Sequence, residues 1–475
     1  MDQLPRGAEE PKISRVTDLG DVRTLPRSGV MPTPDSDDRF ALGELIFIEG
    51  SNFGRLPAVR IGGESVRILA RTNDGGIVCR IPGRIDSGTI EIVVSHEAGR
   101  DATSIGVERN AVLVDRSNGK VHFLVLGRGS ESDVRGTIRV PGAFDARISP
   151  DGQAAYVVSN PAGSAQTAAV HVIALTSAGG PRQLRALHLD LPQVSAFGVA
   201  EKARLGAVVG RGRMVLLDLR KPLQPRALPP FPLVVEAHAL AIHPEGRKIA
   251  LLSPRDNILT TVDVASRNMP RVEAAVDLVP GDRDPMAVDV EFAPGGAVWA
   301  LLGDGPSVSD GGARPTRLAK VSWETGRPRL ERTVELLEAT GAPVALALGR
   351  RIPSTRRPMP IIVATVNRKL YSNEPGSVPS RLDDLGQILA TDQRGRTRVL
   401  SRQTAVFGDP EVSHDMAWAV SPTIRLLRGE GGTRFELGLS FDPIAGSRAG
   451  RSRFVKLGNG RPSGLKRPPV FGIAP

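Results

Sequence analysis

The sequence predicts an all-β protein, in which a β-sandwich is followed by a β-propeller of seven blades. The 52 Gly and 39 Pro are spread along all 475 residues, as expected when short strands alternate with tight turns. Long helical patterns are nearly absent: the best candidate, residues 331–340, is equally consistent with a strand followed by a loop. A unit of turn and apolar strand recurs at an irregular interval of about 45 to 55 residues.

Composition excludes several classes of protein. Hydrophobic residues make up 40% and charged residues 24% of the chain, which is typical of globular rather than disordered proteins. The single cysteine, Cys79, excludes an internal disulfide framework and a cysteine-based zinc cluster. It lies in a strand pattern beside Val78, and we predict a small buried residue. No window approaches the roughly 18 apolar residues of a membrane helix.

The amino terminus lacks the pattern of a signal peptide. Residues 1–10 are polar, with no basic start followed by an apolar run, and we expect them to be flexible. Two interpretations stay open, a cytoplasmic protein and a processed form of an exported one.

The first predicted unit covers residues 11–108. Short apolar strands separated by glycine turns are typical of a β-sandwich, and a polar, proline-rich stretch at about 17–39 reads as a loop insertion. The predicted strands are 12–16, 45–48, 58–61, 77–82 and 89–94.

This unit resembles the IPT/TIG domain, an immunoglobulin-like module. The resemblance rests on Pro11-Lys12-Ile13, on the Gly50-Ser51-Asn52-Phe53-Gly54 string after Ile48-Glu49, on Val59 to Gly63, and on Ile81-Pro82. The long insertion after Val16 departs from the family pattern. The resemblance implies a spacer or docking domain.

The second predicted unit, residues 109–475, repeats one pattern. Pro-Asp-Gly, Pro-Glu-Gly and Pro-Gly-Gly make tight hairpins before apolar strands that neighbouring blades bury. We therefore expect 149–152 and 293–296 to be equivalent hairpins. Residues 110–140 supply strands with no inner strand before them, so we expect them to complete the last blade and close the ring. We expect the carboxyl terminus to be a basic tail. The clearest copies begin at 145, 241 and 290.

The pattern Ser149-Pro150-Asp151-Gly152, with apolar strands at 155–158 and 172–175, resembles the YVTN-type, lactonase-like family of β-propellers. Three blades carry the resemblance clearly. The blade motif is structural, so it implies a fold and not a chemistry.

The motifs of common enzymes are missing. The sequence contains no Gly-x-Ser-x-Gly, P-loop or His-Glu-x-x-His, and we predict no catalytic, cofactor or metal residues. His238 and His243 lack a third nearby ligand, and His414 and Asp415 would point to opposite faces of a strand. Aromatic residues are only 4%, which argues against sugar-stacking and quinone-dependent propellers.

The positive charge is consistent with a generally basic, solvated surface; if the arginine clusters serve binding, it indicates an acidic partner. Lys plus Arg is 62 and Asp plus Glu is 51, a net charge of +11. Arg350, Arg351, Arg356 and Arg357 lie within eight residues, on what we predict to be one inter-strand loop, and they are the candidate binding residues. We expect a protein or an acidic polymer as partner. Nucleic acid is not favoured, because few aromatic residues accompany the basic clusters.

These features favour a non-enzymatic binding or scaffold protein, in which the propeller presents a loop-rich face to a macromolecular partner. Domain analogy favours the bacterial cell envelope. Two alternatives stay open: a propeller enzyme of lactonase or lyase type with its site at the channel mouth, and a nucleic-acid-binding protein that uses its basic surface. The oligomeric state is open as well.

Overall fold

The computed structural model confirms an all-β fold, since its described residues form strands and turns and no helix. No segment of them qualifies as a membrane-crossing helix. The structure describes residues 9–473 except 21–39, 73–74, 83–84, 86–87, 127–131, 161–166, 176–179, 201, 254–255, 281–285, 294, 304–314, 325–326, 338, 340–341, 350–360, 367–385, 393–395, 404, 408–410, 413–417, 430–431, 444–452 and 460–469.

The first unit, here called the sandwich, packs two sheets face to face. One sheet has the strand order β1-β3-β7-β6 and the other continues β5-β4-β8-β9. Ile46, Ile61 and Ile92, fully buried, are part of the core between them. The strands are β1 (Lys12–Gly20), β2 (Phe40–Ala41), β3 (Leu45–Ser51), β4 (Ala58–Ile61), β5 (Glu64–Val66), β6 (Ile68–Arg71), β7 (Ile77–Arg80), β8 (Gly88–His96) and β9 (Gly99–Asp115).

The predicted sandwich strands are therefore confirmed, and one boundary is corrected. The expected loop insertion does not begin at residue 17, because β1 continues to Gly20 and pairs with β3 along that length. Polar Thr17 and Asp18 hid this continuation from the sequence pattern, yet both are buried.

The second unit, here called the propeller, consists of four-stranded sheets with extra short strands on two of them. Its strands, sheet by sheet, are β9 with β10 (Lys120–Leu126) and β11 (Ser132–Arg139); β12 (Ala143–Ile148), β13 (Ala154–Ser159), β14 (Ala169–Ala174) and β15 (Arg182–His188); β16 (Ala196–Val199), β17 (Leu205–Gly210), β18 (Arg213–Asp218), β19 (Arg226–Ala227) and β20 (Phe231–Pro232); β21 (Ala239–Ile242), β22 (Lys248–Ser253), β23 (Ile258–Asp263) and β24 (Arg271–Asp277).

The sheets of the carboxyl-terminal half follow the same plan. They are β25 (Met286–Phe292), β26 (Val298–Gly303), β27 (Arg317–Glu324) and β28 (Arg327–Glu335); β29 (Ala342–Leu348), β30 (Ile361–Val366), β31 (Gly386–Thr391) and β32 (Thr397–Gln403); β33 (Ala405–Phe407), β34 (Glu411–Val412), β35 (Trp418–Gly429), β36 (Gly432–Pro443) and β37 (Arg453–Asn459); and β38 (Val470–Ile473).

The ring closes as the sequence predicts. Strand β38 pairs antiparallel with β9, so the end of the chain supplies the inner strand that β9, β10 and β11 lack. The inner strands β12, β16, β21, β25, β29, β34 and β38 touch one another in that order, and β38 also touches β12. These strands therefore border a central channel.

The predicted hairpins occupy equivalent places. The N–H of Gly152 donates to the carbonyl of Ser149 at 2.9 Å, and Gly296 donates to Ala293 at 2.8 Å. Both glycines have a left-handed φ, +73° and +84°, which costs a residue with a Cβ more than it costs glycine. Each turn leads from an inner strand into a second strand that is buried along its whole length.

The two units share strand β9. Residues 99–107 of this strand pair with β8 of the sandwich, and residues 109–115 pair with β10 of the propeller. At the crossing, the short strand β2 pairs with Val107 and Glu108. The predicted junction at 108–110 thus falls inside a continuous strand.

Candidate functional site

Carboxylates recur at one position of the inner strands. Asp145 and Asp289 each lie at the bulge of an inner strand, β12 and β25, and each Oδ1 accepts the next residue's N–H, at 2.6 Å and 2.8 Å. Oδ2 of Asp289 accepts the N–H of Leu346 in the following sheet at 2.8 Å. Asp289 therefore joins the inner strand β25 to the inner strand β29 of the next sheet.

Two residues further along the same strands, the side chains carry opposite charges. Arg147 of β12 and Glu291 of β25 occupy equivalent positions, and both are half-buried. Arg147 Nη1 lies 3.0 Å from Asp145 Oδ1. The inner strands thus carry a guanidinium and a carboxylate, the groups that stabilise an oxyanion and accept a proton in hydrolysis.

The two histidines considered as metal ligands have structural contacts instead. The ring nitrogens of His238 lie 3.0 Å from the carbonyl of Leu252 and 3.2 Å from that of Val288, which joins neighbouring sheets. The ring of His243 meets Phe292 edge to face. Burial lowers the pKa of both imidazoles. Across the described residues, no three His, Cys, Asp or Glu side chains gather as metal ligands.

A serine–histidine pair, Ser159 with His171, was not predicted from the sequence. Ser159 Oγ lies 2.9 Å from His171 Nε2, and Gln183 Nε2 lies 3.1 Å from His171 Nδ1. The spacing is that of a nucleophile and its base, but Ser159 is buried, so the pair ties β13, β14 and β15 together. Its members lie on separate strands, twelve residues apart, and no local motif marks them.

A cavity lies between the sandwich and the propeller. This cleft has a volume of about 620 Å³. The sandwich contributes Glu64 to Arg67, Leu69 and Arg80 to Pro82, and the propeller contributes Pro150, Asp151, Gln153, Arg204, Leu219 and Pro222. On the propeller side it is therefore built from the turns that follow inner strands, together with the turn after β18.

Close backbone contacts fix the walls of the cleft. A Cβ on Gly43 would lie 2.0 Å from the carbonyl oxygen of Asp151, and one on Gly152 would lie 2.6 Å from that of Leu42. Asn110 Nδ2 donates to the carbonyl of Gly152 at 3.2 Å.

An ion pair beside the cleft supports the same contact. Arg135 Nη1 of the propeller lies 3.4 Å from Glu44 Oε1 of the sandwich, and the Glu44 side chain is only 2% exposed. Glu44 Oε2 also accepts the N–H of Ala41 at 2.6 Å, so this buried carboxylate has partners on both oxygens.

The predicted arginine site lies outside the described residues. Arg350, Arg351, Arg356 and Arg357 all fall in the segment 350–360, and His414 and Asp415 fall in 413–417. Binding of an acidic partner by the four arginines therefore stays a prediction.

Comparison with known proteins supports both units. Residues 39–107 match the IPT/TIG domain family. The periplasmic gluconolactonase of Pseudomonas aeruginosa is 12% identical, with a TM-score of 0.50 over 74% of this chain and 98% of that one. A 6-phosphogluconolactonase candidate from Bacteroides uniformis is 15% identical, with a TM-score of 0.49 over 73% and 99%. No functionally curated protein matches the sequence.

These neighbours correct the functional prediction. The predicted non-enzymatic binding or scaffold role is wrong, because the neighbour with a TM-score of 0.50 is a gluconolactonase, as in the stated alternative. The prediction rested on missing motifs. In a propeller, however, reactive side chains come from separate sheets distant in sequence, so an active site leaves no local motif.

Proposed function

We propose that this protein is a lactone hydrolase of the propeller type. The observation that carries the proposal is the fold shared with a gluconolactonase, which spans 98% of that chain. Hydrolysis of a lactone adds water to the ring carbonyl, breaks the ring C–O bond and releases a hydroxy acid. It needs a base that accepts a proton from water and a donor that stabilises the oxyanion.

The inner strands offer both groups. Glu291 is the candidate base and Arg147 the candidate oxyanion donor, since they lie at equivalent positions of β25 and β12 beside the channel. Asp145 holds the Arg147 guanidinium at 3.0 Å and so limits its rotation.

The test is hydrolysis of glucono-δ-lactone, followed by acid release at constant pH. We expect the protein to exceed the rate of buffer alone, and Glu291→Gln to lose about 100-fold in kcat. Glu273→Gln is the matched control, because Glu273 lies on the outermost strand β24, where it bonds Lys248 at 2.6 Å. Hydrolysis no faster than buffer would reject the proposal, and full activity of Glu291→Gln would reject Glu291 as the base.

We further propose that the ring has seven blades, is of YVTN type, and meets the sandwich at residues 108–109. The closing sheet of β38 with β9, β10 and β11, followed by the sheets that begin at β12, supports this number. The Ser149-Pro150-Asp151-Gly152 turn supports the type.

A further inference from the structure

We propose that the cleft between the sandwich and the propeller binds a small organic anion, a carboxylate or phosphate monoester joined to an apolar body. The cleft's volume of about 620 Å³ lies in the range of roughly 300 to 1,000 Å³ found for ligand sites. Both units contribute to its lining, so the site exists only where they meet.

The hydrogen-bond donors of the cleft indicate an anion. Arg67, Arg80 and Arg204 line it, and each guanidinium carries five N–H donors. Within the part of the chain that the structure describes, Arg67 and Arg204 form no ion pair. Arg80 Nη1 donates to the carbonyl of Gly43, which limits the movement of this guanidinium beside the cleft.

The two acidic residues of the cleft, Asp151 and Glu64, do not neutralise the positive charge of these arginines to the same extent. Asp151 Oδ1 accepts the hydroxyl of Ser149 at 2.7 Å and the N–H of Gln153 at 3.3 Å, and Oδ2 accepts Gln153 Nε2 at 3.0 Å. Its oxygens are thus engaged within their own turn. Glu64 is exposed. Its negative charge would repel a long polyanion that runs along the cleft, but a small anion can bind at the arginines without lying against Glu64.

The remaining lining selects an apolar body. Leu69, Pro82 and Pro222 line the cleft and are only partly buried. A ring or a short chain would cover their exposed apolar area, which adds the hydrophobic contribution of that area. Inorganic phosphate would gain the charge contacts alone, so it should bind more weakly than a phosphate ester.

Calorimetric titration of the full chain tests this proposal with phenyl phosphate and benzoate, and with neutral benzyl alcohol for comparison. We expect at least one of the two anions to bind saturably, more tightly than benzyl alcohol and, for phenyl phosphate, more tightly than inorganic phosphate. The compound that binds, phenyl phosphate or benzoate, shows whether the cleft prefers a phosphate ester or a carboxylate. Raising NaCl from 50 to 500 mM should weaken binding, because salt screens exposed arginines.

The variant pair separates the cleft from general surface charge. Arg67→Gln with Arg204→Gln should weaken binding at least tenfold. Arg60→Gln with Arg226→Gln removes two exposed arginines that do not line the cleft and should leave binding unchanged. Absence of binding by both anions, or equal affinity of the two double variants, would overturn the proposal.

The cleft and the channel can be tested separately. None of the cleft residues lies on an inner strand, so the cleft double variant should hydrolyse glucono-δ-lactone at the rate of the unmodified protein. Anion binding can be measured whether or not hydrolysis is found.

Discussion

At the scale of single residues, the closest approach between the two units depends on glycines, in addition to the ion pair of Arg135 with Glu44. Gly43 has a φ of +86° and approaches the carbonyl of Asp151 so closely that no Cβ fits between them. Gly152 meets Leu42 in the same way. The backbones of sandwich and propeller therefore touch directly at this point.

Replacing Gly43 by alanine should lower the free energy of unfolding by about 3 kcal/mol, from left-handed strain together with the clash at Asp151. Gly63→Ala is the matched control. Gly63 has a similar φ of +83° with open space around its Cβ position, so only the strain of about 1 kcal/mol applies. Urea unfolding of both variants measures the difference, and equal losses would show that the contact contributes nothing.

Prediction from sequence succeeded at Cys79 and failed at Ser159. Cys79 is fully buried, as its strand position indicates, and burial raises the pKa of its thiol to about 12. Alternation along one strand suffices for such a residue. The bond from Ser159 to His171 depends on the register of two strands, which the local pattern leaves undetermined.

At the scale of elements, the short strand β38 closes the ring of the propeller. It supplies the inner edge beside β9, and its register runs from Val470 opposite Val114 to Ile473 opposite Ala111. Without it, the edge of β9 would expose unpaired N–H and C=O groups, which promote association between chains.

Removal of residues 470–475 should lower the unfolding midpoint by about 5 °C or more and cause self-association. A chain shortened only by residues 474–475 keeps all of β38 and is the control. Calorimetry and light scattering would follow the two properties. If both shortened chains stay monomeric and unfold at the same temperature, ring closure by β38 does not stabilise the propeller.

The closing sheet also shows what sequence can predict about elements. Strands β9, β10 and β11 were expected to need an inner strand, because their position in the repeat begins one strand late. The identity of that strand could not be predicted, since β38 is four residues long and pairs with a strand more than 350 residues earlier.

At the scale of the whole molecule, acid should destabilise the fold through its histidines. Burial lowers the pKa of His122, His171, His238 and His243 in the folded protein. Unfolded histidine titrates near 6.5, so below that pH the unfolded chain binds more protons than the folded one. Stability is then fully present above about pH 6.5 and is lost as the pH falls.

The free energy of unfolding should therefore be lower at pH 5.5 than at pH 7.5, a window that leaves most carboxylates ionised. His122→Gln should reduce this difference, since His122 is only 8% exposed and burial lowers its pKa. Urea titrations at both pH values provide the measurement. An unchanged difference in the variant would exclude His122 as a source of the acid sensitivity.

The proposed sites could not be predicted from the sequence, because their residues are brought together only by the arrangement of the whole molecule. Two sheets of the propeller lie between the sheet of Arg147 and that of Glu291, and the cleft joins Arg67 to Arg204 across two units. The sequence repeats predict each sheet. Only the closure of the ring and the angle between the two units determine which charged side chains lie near one another.

The shared strand β9 determines how this protein would respond to mechanical load. Tension between the two units would run along β9 and across hydrogen bonds to β8 on one side and to β10 and β38 on the other. A loop-linked pair of domains would separate by stretching its linker. Here, separation requires a whole ladder to slip in shear, many bonds at once, so the sandwich and the propeller would resist extension as one body until one of them unravels.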